Sequence, residues 1–373
     1  MSLELDAHRR FVGDRPRVDA LTHAIAAVVR PGDVVIDLAS GTGILGLLAC
    51  RAGAARVYCI ESGSIISLAR DLARSNGFED RMQFVFAHSS HAHLPERADV
   101  LISDQIGQFG FEAGLIAAVA DARTRLLKPG GRIVPGRVTM YLAPVETAEL
   151  REDLAFWAGD PAGFRFGPAR DIAVNSGHRL RLEPDQLLGA GVSGAAFDLH
   201  TVADAPFTCE AVVTASRDGV LDGIGGWFVA DLAGGITMTN APGDPNRIDR
   251  RNVVFPIDPP ARLHAGDAVT VSMRIRPSDL LVRWTVELPD GRRRSHSTLA
   301  GMFIPREDLE RTHPAFMPRL TARGLARRTV LELCDGRPLH EIERAVYERH
   351  RDLFDSETAA HVFVAEVVTR YCV

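Results

Sequence analysis

Residues 34–61 read VVIDLASGTGILGLLACRAGAARVYCIE. VVIDLA is an apolar run interrupted only by Asp37, as in a strand covered on both faces. Ser40-Gly41-Thr42-Gly43 breaks it with a turn in which glycine lets the backbone approach a ligand closely. ILGLLACRAG then has helical composition and stops at Gly53, and RVYCIE is a second buried strand ending on Glu61. Strand, glycine turn, helix and strand together specify the opening of a parallel α/β sheet.

The pattern continues in both directions. Upstream, VDALTHAIAAVVR (18–30) places apolar residues at helical spacing and stops at Pro31-Gly32. Downstream, IISLARDLARSNG forms a second helix ending at Gly77, MQFVFA and ADVLISD form strands, and LIAAVADARTRLL forms a further helix closed by Lys128-Pro129-Gly130-Gly131. The alternation predicts a Rossmann-like, doubly wound α/β domain over 1–136, with a parallel-rich sheet covered on both faces. After about residue 135 the texture changes. GRIVP, RVTMYLAPV, AFDLHTV, FTCEAVVTA, GIGGWFVADL, AVTVSMRI and LVRWTVELP are short alternating segments, predicting a β-barrel or sandwich over 137–305. An irregular helical insertion at about 150–190 carries Phe156, Trp157, Phe164 and Phe166. Residues 306–373 read as a small helical C-terminal module.

The chain has 373 residues, 46% of them hydrophobic and 24% charged, with a net charge of −5. That balance lacks the basic surplus of a nucleic-acid binder. No apolar run spans a bilayer, so no membrane association is expected. The five cysteines form no C-x-x-C pair, which argues against a structural metal and for a reducing, cytoplasmic setting.

Chemistry concentrates at the first strand turn. Asp37 ends the first strand, Gly41 and Gly43 make the turn, and the helix N-terminus behind them favours polar or anionic groups. Glu61, ending the next strand, is placed to accept hydrogen bonds from two ribose hydroxyls. An acid at Asp37 repels a pyrophosphate but attracts the ammonium of a methionine moiety. DLASGTG therefore suits S-adenosylmethionine (SAM), with S-adenosylhomocysteine as product, better than a dinucleotide. His88, His91 and His93 read as polar loop positions rather than metal ligands, and no metal is expected.

From these residues the sequence resembles the protein arginine methyltransferase family over most of 8–300. The likeness rests on the stretch 34–61, on the spacing of His8, Phe11, Asp14 and Arg17, and on DVLISDQIGQFGFEAG. It implies that Arg17 grips the cofactor carboxylate beside His8. Asp37, Ala39, Gly41 and Gly43 would hold the methionine end, Glu61 the ribose, and Ser89 or Ser90 would lie near the adenine. It further implies that Asp104 and Glu112 are the catalytic carboxylates clamping an acceptor guanidinium. KPGGRIVPGRVTMYLAPVE resembles the family's crossing into its barrel, and the FW…GFRF insertion resembles its dimerisation arm, implying a homodimer.

Three positions depart from the family pattern. Ala39 replaces the first glycine of the turn. Asp104 is one methylene shorter than the family's glutamate, in a loop one residue shorter. Ile248-Asp249-Arg250 stand where a Thr-His-Trp motif precedes VVFPI. The expected activity is N-methylation of a guanidino or other nitrogen on a peptide or small-molecule acceptor in specialised metabolism. Methylation of an oxygen, sulfur or imidazole is the alternative. Finally, HPAFMPRLTARGLARRTVLELCDGRPLHEIERAV resembles PqqD-like winged-helix modules, which bind leader peptides. A helical cap on the β-domain is the other reading of that segment.

Overall fold

The structure is a computed structural model that describes residues 3–302, 311 and 315–372, with side chains omitted at 3, 4 and 370. The chain divides into two compact units, Met1–Met302 and Phe303–Val373.

The first unit opens with α1 (Leu3–Gly13) and α2 (Arg15–Val28), joined at Asp14, whose side chain caps α2 by accepting from the Arg17 amide. Then follow β1 (Val34–Leu38), α3 (Ile44–Arg51), β2 (Arg56–Glu61), α4 (Ile66–Ser75), β3 (Met82–Phe86), β4 (Ala98–Ser103), α5 (Leu115–Arg125) and β5 (Leu127–Val134). The five strands pair in parallel in the order β3-β2-β1-β4-β5. Every residue of β1 is buried because this strand lies in the middle and helices cover both faces.

One sequence expectation is corrected here. Lys128-Pro129-Gly130-Gly131 does not close α5 as a turn, and GRIVP does not open the β-domain. Both belong to β5, which pairs with β4 through Arg132, Ile133 and Val134. Ile133 and Val134 are buried against the parallel sheet, and a segment that short carries no local signal of which sheet it joins.

The antiparallel part begins with β6 (Arg137–Val145). After α6 (Ala148–Ala158) and α7 (Gly167–Ala173) come β7 (His178–Leu180), β8 (Val192–Asp198), β9 (Phe207–Thr214), β10 (Gly219–Ala233), β11 (Ile236–Thr239), β12 (Asn252–Leu263), β13 (Ala268–Arg276), β14 (Leu281–Glu287) and β15 (Arg293–Ser297). They form one sheet of order β7-β12-β10-β6-β8, with β11 on β10, and a second of order β15-β14-β13-β9. Strict in–out alternation along β9 and β13 turns one face of the second sheet inward. Trp284, Phe228, Val271 and Met273 fill the barrel interior, and the same apolar cluster runs on into the parallel sheet.

The second unit holds three helices, Ala322–Leu333, Leu339–Arg349 and Glu357–Tyr371, around Ala326, Val330, Ile342, Val346, Phe363 and Val364. No strand occurs among its described residues, and the segment 303–310 and 312–314 that precedes these helices lies outside them. Cys334 and Cys372 face each other here, with their sulfurs 3.2 Å apart.

Candidate active site

Strand order decides where the chemistry sits. From β1 the chain goes to β2 on one side, and later reaches β4 on the other. The crevice of a doubly wound sheet opens at that switch, beyond the carboxyl ends of the two central strands. Leu38 pairs with Ser103 in register, so the loops leaving β1 and β4 start side by side. Asp37 and Asp104, far apart in sequence, are thereby brought to one crevice.

On the β1 side, Ala39, Gly41 and Gly43 all have left-handed backbone, with φ of 56°, 53° and 73°. The turn is closed by the Gly43 amide donating to the Ser40 carbonyl at 2.7 Å. Glu61 is fixed against it: the amides of Gly41 (2.9 Å) and Gly63 (2.7 Å) donate to its two carboxylate oxygens. A side chain at Gly41 would strike His8, since an added Cβ would lie 2.5 Å from the imidazole Cε1. His8 therefore lies directly over the turn, carried there by α1.

Asp37 is fully buried and accepts from the Gly46 amide at 2.8 Å through Oδ2. Its Oδ1 has no partner, and neither does the buried Oγ of Ser40 next to it. Burial raises the Asp37 carboxyl to about 7. The Gly46 hydrogen bond opposes this, nearby Glu61 adds to it, and Arg17 opposes it. A buried acid with an open oxygen is stabilised as the anion only when a cation or donor arrives.

On the β4 side, Asp104 has a side chain only 8% exposed and is held by two arginines. Arg17 Nε donates to its Oδ2 at 2.6 Å, and Arg250 Nη2 donates to the same oxygen at 3.1 Å. Desolvation opposes ionisation, yet Arg250 and Arg17 together keep the carboxyl below its ordinary value. Oδ1 is left without a partner. Glu112 turns inward on its own loop instead. Its Oε1 accepts from the amides of Gln108 (2.5 Å) and Phe109 (2.7 Å), and Oε2 accepts from Phe111 at 3.2 Å. Gly107 joins the two acids: Arg250 donates to its carbonyl at 3.2 Å, and a Cβ there would come within 2.6 Å of Glu112 Oε2.

Groups from the β-domain fasten this loop. Phe109 packs so tightly on Gly226 of β10 that a Cβ there would fall 2.6 Å from its ring. Asn240, fully buried, donates to the Gln108 carbonyl at 2.8 Å. Asp14 accepts from the Asp249 amide at 2.8 Å, which ties the α1–α2 joint to the segment carrying Arg250. Sequence reading did not assign Asn240 or Arg250 to the site. For Arg250 the one available signal was its position where the Thr-His-Trp motif is missing.

Ser89 and Ser90 occupy a short 3-10 turn whose carbonyls are bound by Arg125 (Ser89 O at 2.8 Å). With Gln105 and Glu112 they line a cavity of about 350 Å³. Of the residues expected at the site, His8, Gly41, Gly43 and Glu61 gather at the β1 turn, and Arg17 joins Asp104. Asp104 and Glu112 flank Gly107 without forming a free pair of forks.

Residues 13–137 match the family model described as ribosomal protein L11 methyltransferase (PrmA). An arginine N(omega)-methyltransferase of Streptomyces achromogenes subsp. streptozoticus is 30% identical over 288 residues, covering 75% of this chain and 78% of that protein. The chain belongs to the arginine N-methyltransferase family. Protein arginine N-methyltransferase 1 of Chlamydomonas reinhardtii is 29% identical over 63% of this chain and 70% of its own. Among solved structures, the Trypanosoma brucei PRMT1 enzyme–prozyme heterotetrameric complex with AdoHcy shares the fold, with a TM-score of 0.71 at 22% identity. That match covers 78% of this chain and 97% of the other. Arabidopsis thaliana protein arginine methyltransferase 10 gives 0.66 at 22% identity, over 78% and 97% of the two chains.

This family member is a SAM-dependent methyltransferase. The donor set fits that cofactor. The orphaned Asp37 Oδ1 and Ser40 Oγ need polar partners, the glycine turn leaves room for a close approach, and Glu61 offers a fixed carboxylate. Among the described residues no cluster of His, Cys, Asp and Glu is arranged to hold a metal.

Proposed function

We propose that this arginine methyltransferase relative transfers a methyl group from SAM to a guanidino nitrogen of a peptide or small-molecule acceptor. The observation that carries this is the buried Asp104 carboxylate, kept ionised by two arginines and retaining a buried Oδ1 without a partner. Asp37, the Ala39–Gly43 turn and Arg17 hold the methionine part, Glu61 holds the ribose, His8 covers the turn, and Ser89 and Ser90 flank the adenine. When bound, the cofactor supplies an electrophilic methyl group. The chain itself supplies orientation. Asp104 Oδ1 takes one guanidinium N–H, Glu112 borders the opposite side, and the two carboxylates localise positive charge away from the attacking nitrogen.

Assay of arginine-containing peptides and free arginine, with tandem mass spectrometry of products, tests this. Asp104→Asn and Glu112→Gln variants that bind S-adenosylhomocysteine yet methylate at the wild-type rate would refute it. A second reading has its own support. Arg17 and Arg250 together cancel the charges of Asp104 and Glu112, and a site of zero net charge suits a neutral oxygen, sulfur or imidazole acceptor.

Homodimerisation is part of the proposal. Phe156 and Phe164 of the insertion are 56% and 71% exposed, and Phe156 meets Trp157 edge-on at 4.9 Å. Such an uncovered aromatic cluster is typical of an association surface. Leader-peptide binding by the C-terminal unit, a place in specialised peptide metabolism and a cytoplasmic setting complete the proposal. No helix among the described residues is long and apolar enough to cross a membrane.

A further inference from the structure

The outer face of the β13–β14 hairpin carries an electrostatic conflict. Arg274 and Arg283 stand directly opposite each other across the two strands, both exposed. Like charges so placed repel, and other cations on this face are neutralised locally. Arg276 pairs with Asp279 at 2.6 Å, and Arg293 pairs with Glu287 at 2.7 Å. Glu210 lies diagonal to Arg274, and its carboxylate accepts from Ser272 at 3.1 Å. Among the described residues, Arg274 and Arg283 stand in no ion pair of their own, while Glu287, which lines the same cavity, is taken by Arg293.

Two cavities meet at this pair. One, of about 390 Å³, is walled by the hydroxyls of Thr270, Ser272 and Thr285. The other, of about 320 Å³, is walled by Phe207, Leu281 and Leu299. The tip of the same hairpin, Pro277, Ser278 and Leu280, lines the 350 Å³ cavity beside Gln105 and Glu112. A strand rises roughly 3.3 Å per residue, so the arginine pair lies only about three residues from that cavity.

We propose that this face is a docking groove for an extended acidic segment of a peptide acceptor, with a carboxylate over Arg274 and Arg283 and an apolar side chain in the Phe207–Leu299 cavity. The proposal rests on the acceptor being a peptide. Charge complementarity selects an anion, and the adjoining apolar cavity selects a peptide over inorganic phosphate or a nucleic-acid backbone. An extended peptide running along the hairpin from the arginine pair to its tip spans about three residues.

The test is binding without turnover. Fluorescence anisotropy follows a labelled Glu-Leu-Glu-Glu-Leu-Glu peptide and its Gln-for-Glu counterpart on wild-type protein and on an Arg274→Ala/Arg283→Ala variant. Calorimetry with S-adenosylhomocysteine checks each protein. The acidic peptide is expected to bind wild type, weaken with salt, and lose about tenfold or more in affinity in the variant, while cofactor binding is unchanged. The variant is also expected to melt no lower than wild type, because a repulsion has been removed. Equal affinity for the two peptides, equal affinity for the two proteins, or no saturable binding would overturn the proposal. Full displacement by millimolar inorganic phosphate, or binding of a labelled oligonucleotide in place of the peptide, would also overturn it. Loss of guanidino methylation with docking intact would instead remove the reading of the acceptor atom.

Discussion

Arg250 and Asp104 meet across 146 positions of sequence, Nη2 to Oδ2 at 3.1 Å, both side chains under 10% exposed. The contact places a guanidinium of the chain itself on the carboxylate proposed to bind the acceptor. Breaking a buried ion pair leaves the partner short of compensation, so Arg250→Gln is expected to cost roughly 1–3 kcal/mol in urea unfolding. The same change gives the acceptor side a net negative charge. KM for a cationic acceptor should fall several-fold while that for a neutral one does not. A rise for both would show that Arg250 holds the acceptor directly.

Asp37, proposed to hold the methionine end of the cofactor, would make stability and cofactor binding pull in opposite directions. Its folded value of about 7 lies above the usual 3.8, so the folded state keeps the proton longer than the unfolded chain does. Stability attributable to this group is therefore greatest below pH 3.8 and is lost as pH rises towards 7. Asp37→Asn is expected to stabilise the cofactor-free protein at pH 8 by roughly 2–4 kcal/mol and to abolish SAM binding. Thermal melts with and without S-adenosylhomocysteine check both halves. Affinity in the wild type should also weaken below pH 7, as Asp37 becomes neutral.

Ala39 occupies a left-handed conformation, φ 56°, with an exposed methyl group. An L side chain there costs about 1 kcal/mol, and little packing is lost on removing it. Ala39→Gly should raise Tm by about 2 °C without weakening the cofactor complex. A lower Tm would mean that the methyl group packs in solution.

Gly107→Ala introduces a Cβ 2.5 Å from the Glu112 carboxyl carbon at φ +81°. Expulsion of Glu112 frees three amides, so turnover should fall far more than cofactor affinity. Gly114→Ala is the control, with φ +86° and nothing within 4 Å of the added atom. If both variants lose equal activity, backbone strain alone explains the effect.

The βαβ unit and its acids are legible in the sequence alone. The turn at 39–43, Asp37 before it and Glu61 closing β2 are all set within one local segment, where periodicity and glycine placement are legible. The resemblance to the arginine methyltransferase family, and not local pattern, brought Arg17, Asp104 and Glu112 forward as site residues. How those acids are held is visible only in the tertiary fold. Which oxygen of Asp104 stays open depends on Arg250, and where Glu112 points depends on a loop pinned by Asn240 and Phe109. The same holds for GRIVP, which reads as one more short apolar strand and finds its sheet only through its pairing with β4. Strand order at the β1/β4 switch brings these groups together, and local propensity carries no record of contacts closed over a hundred residues or more.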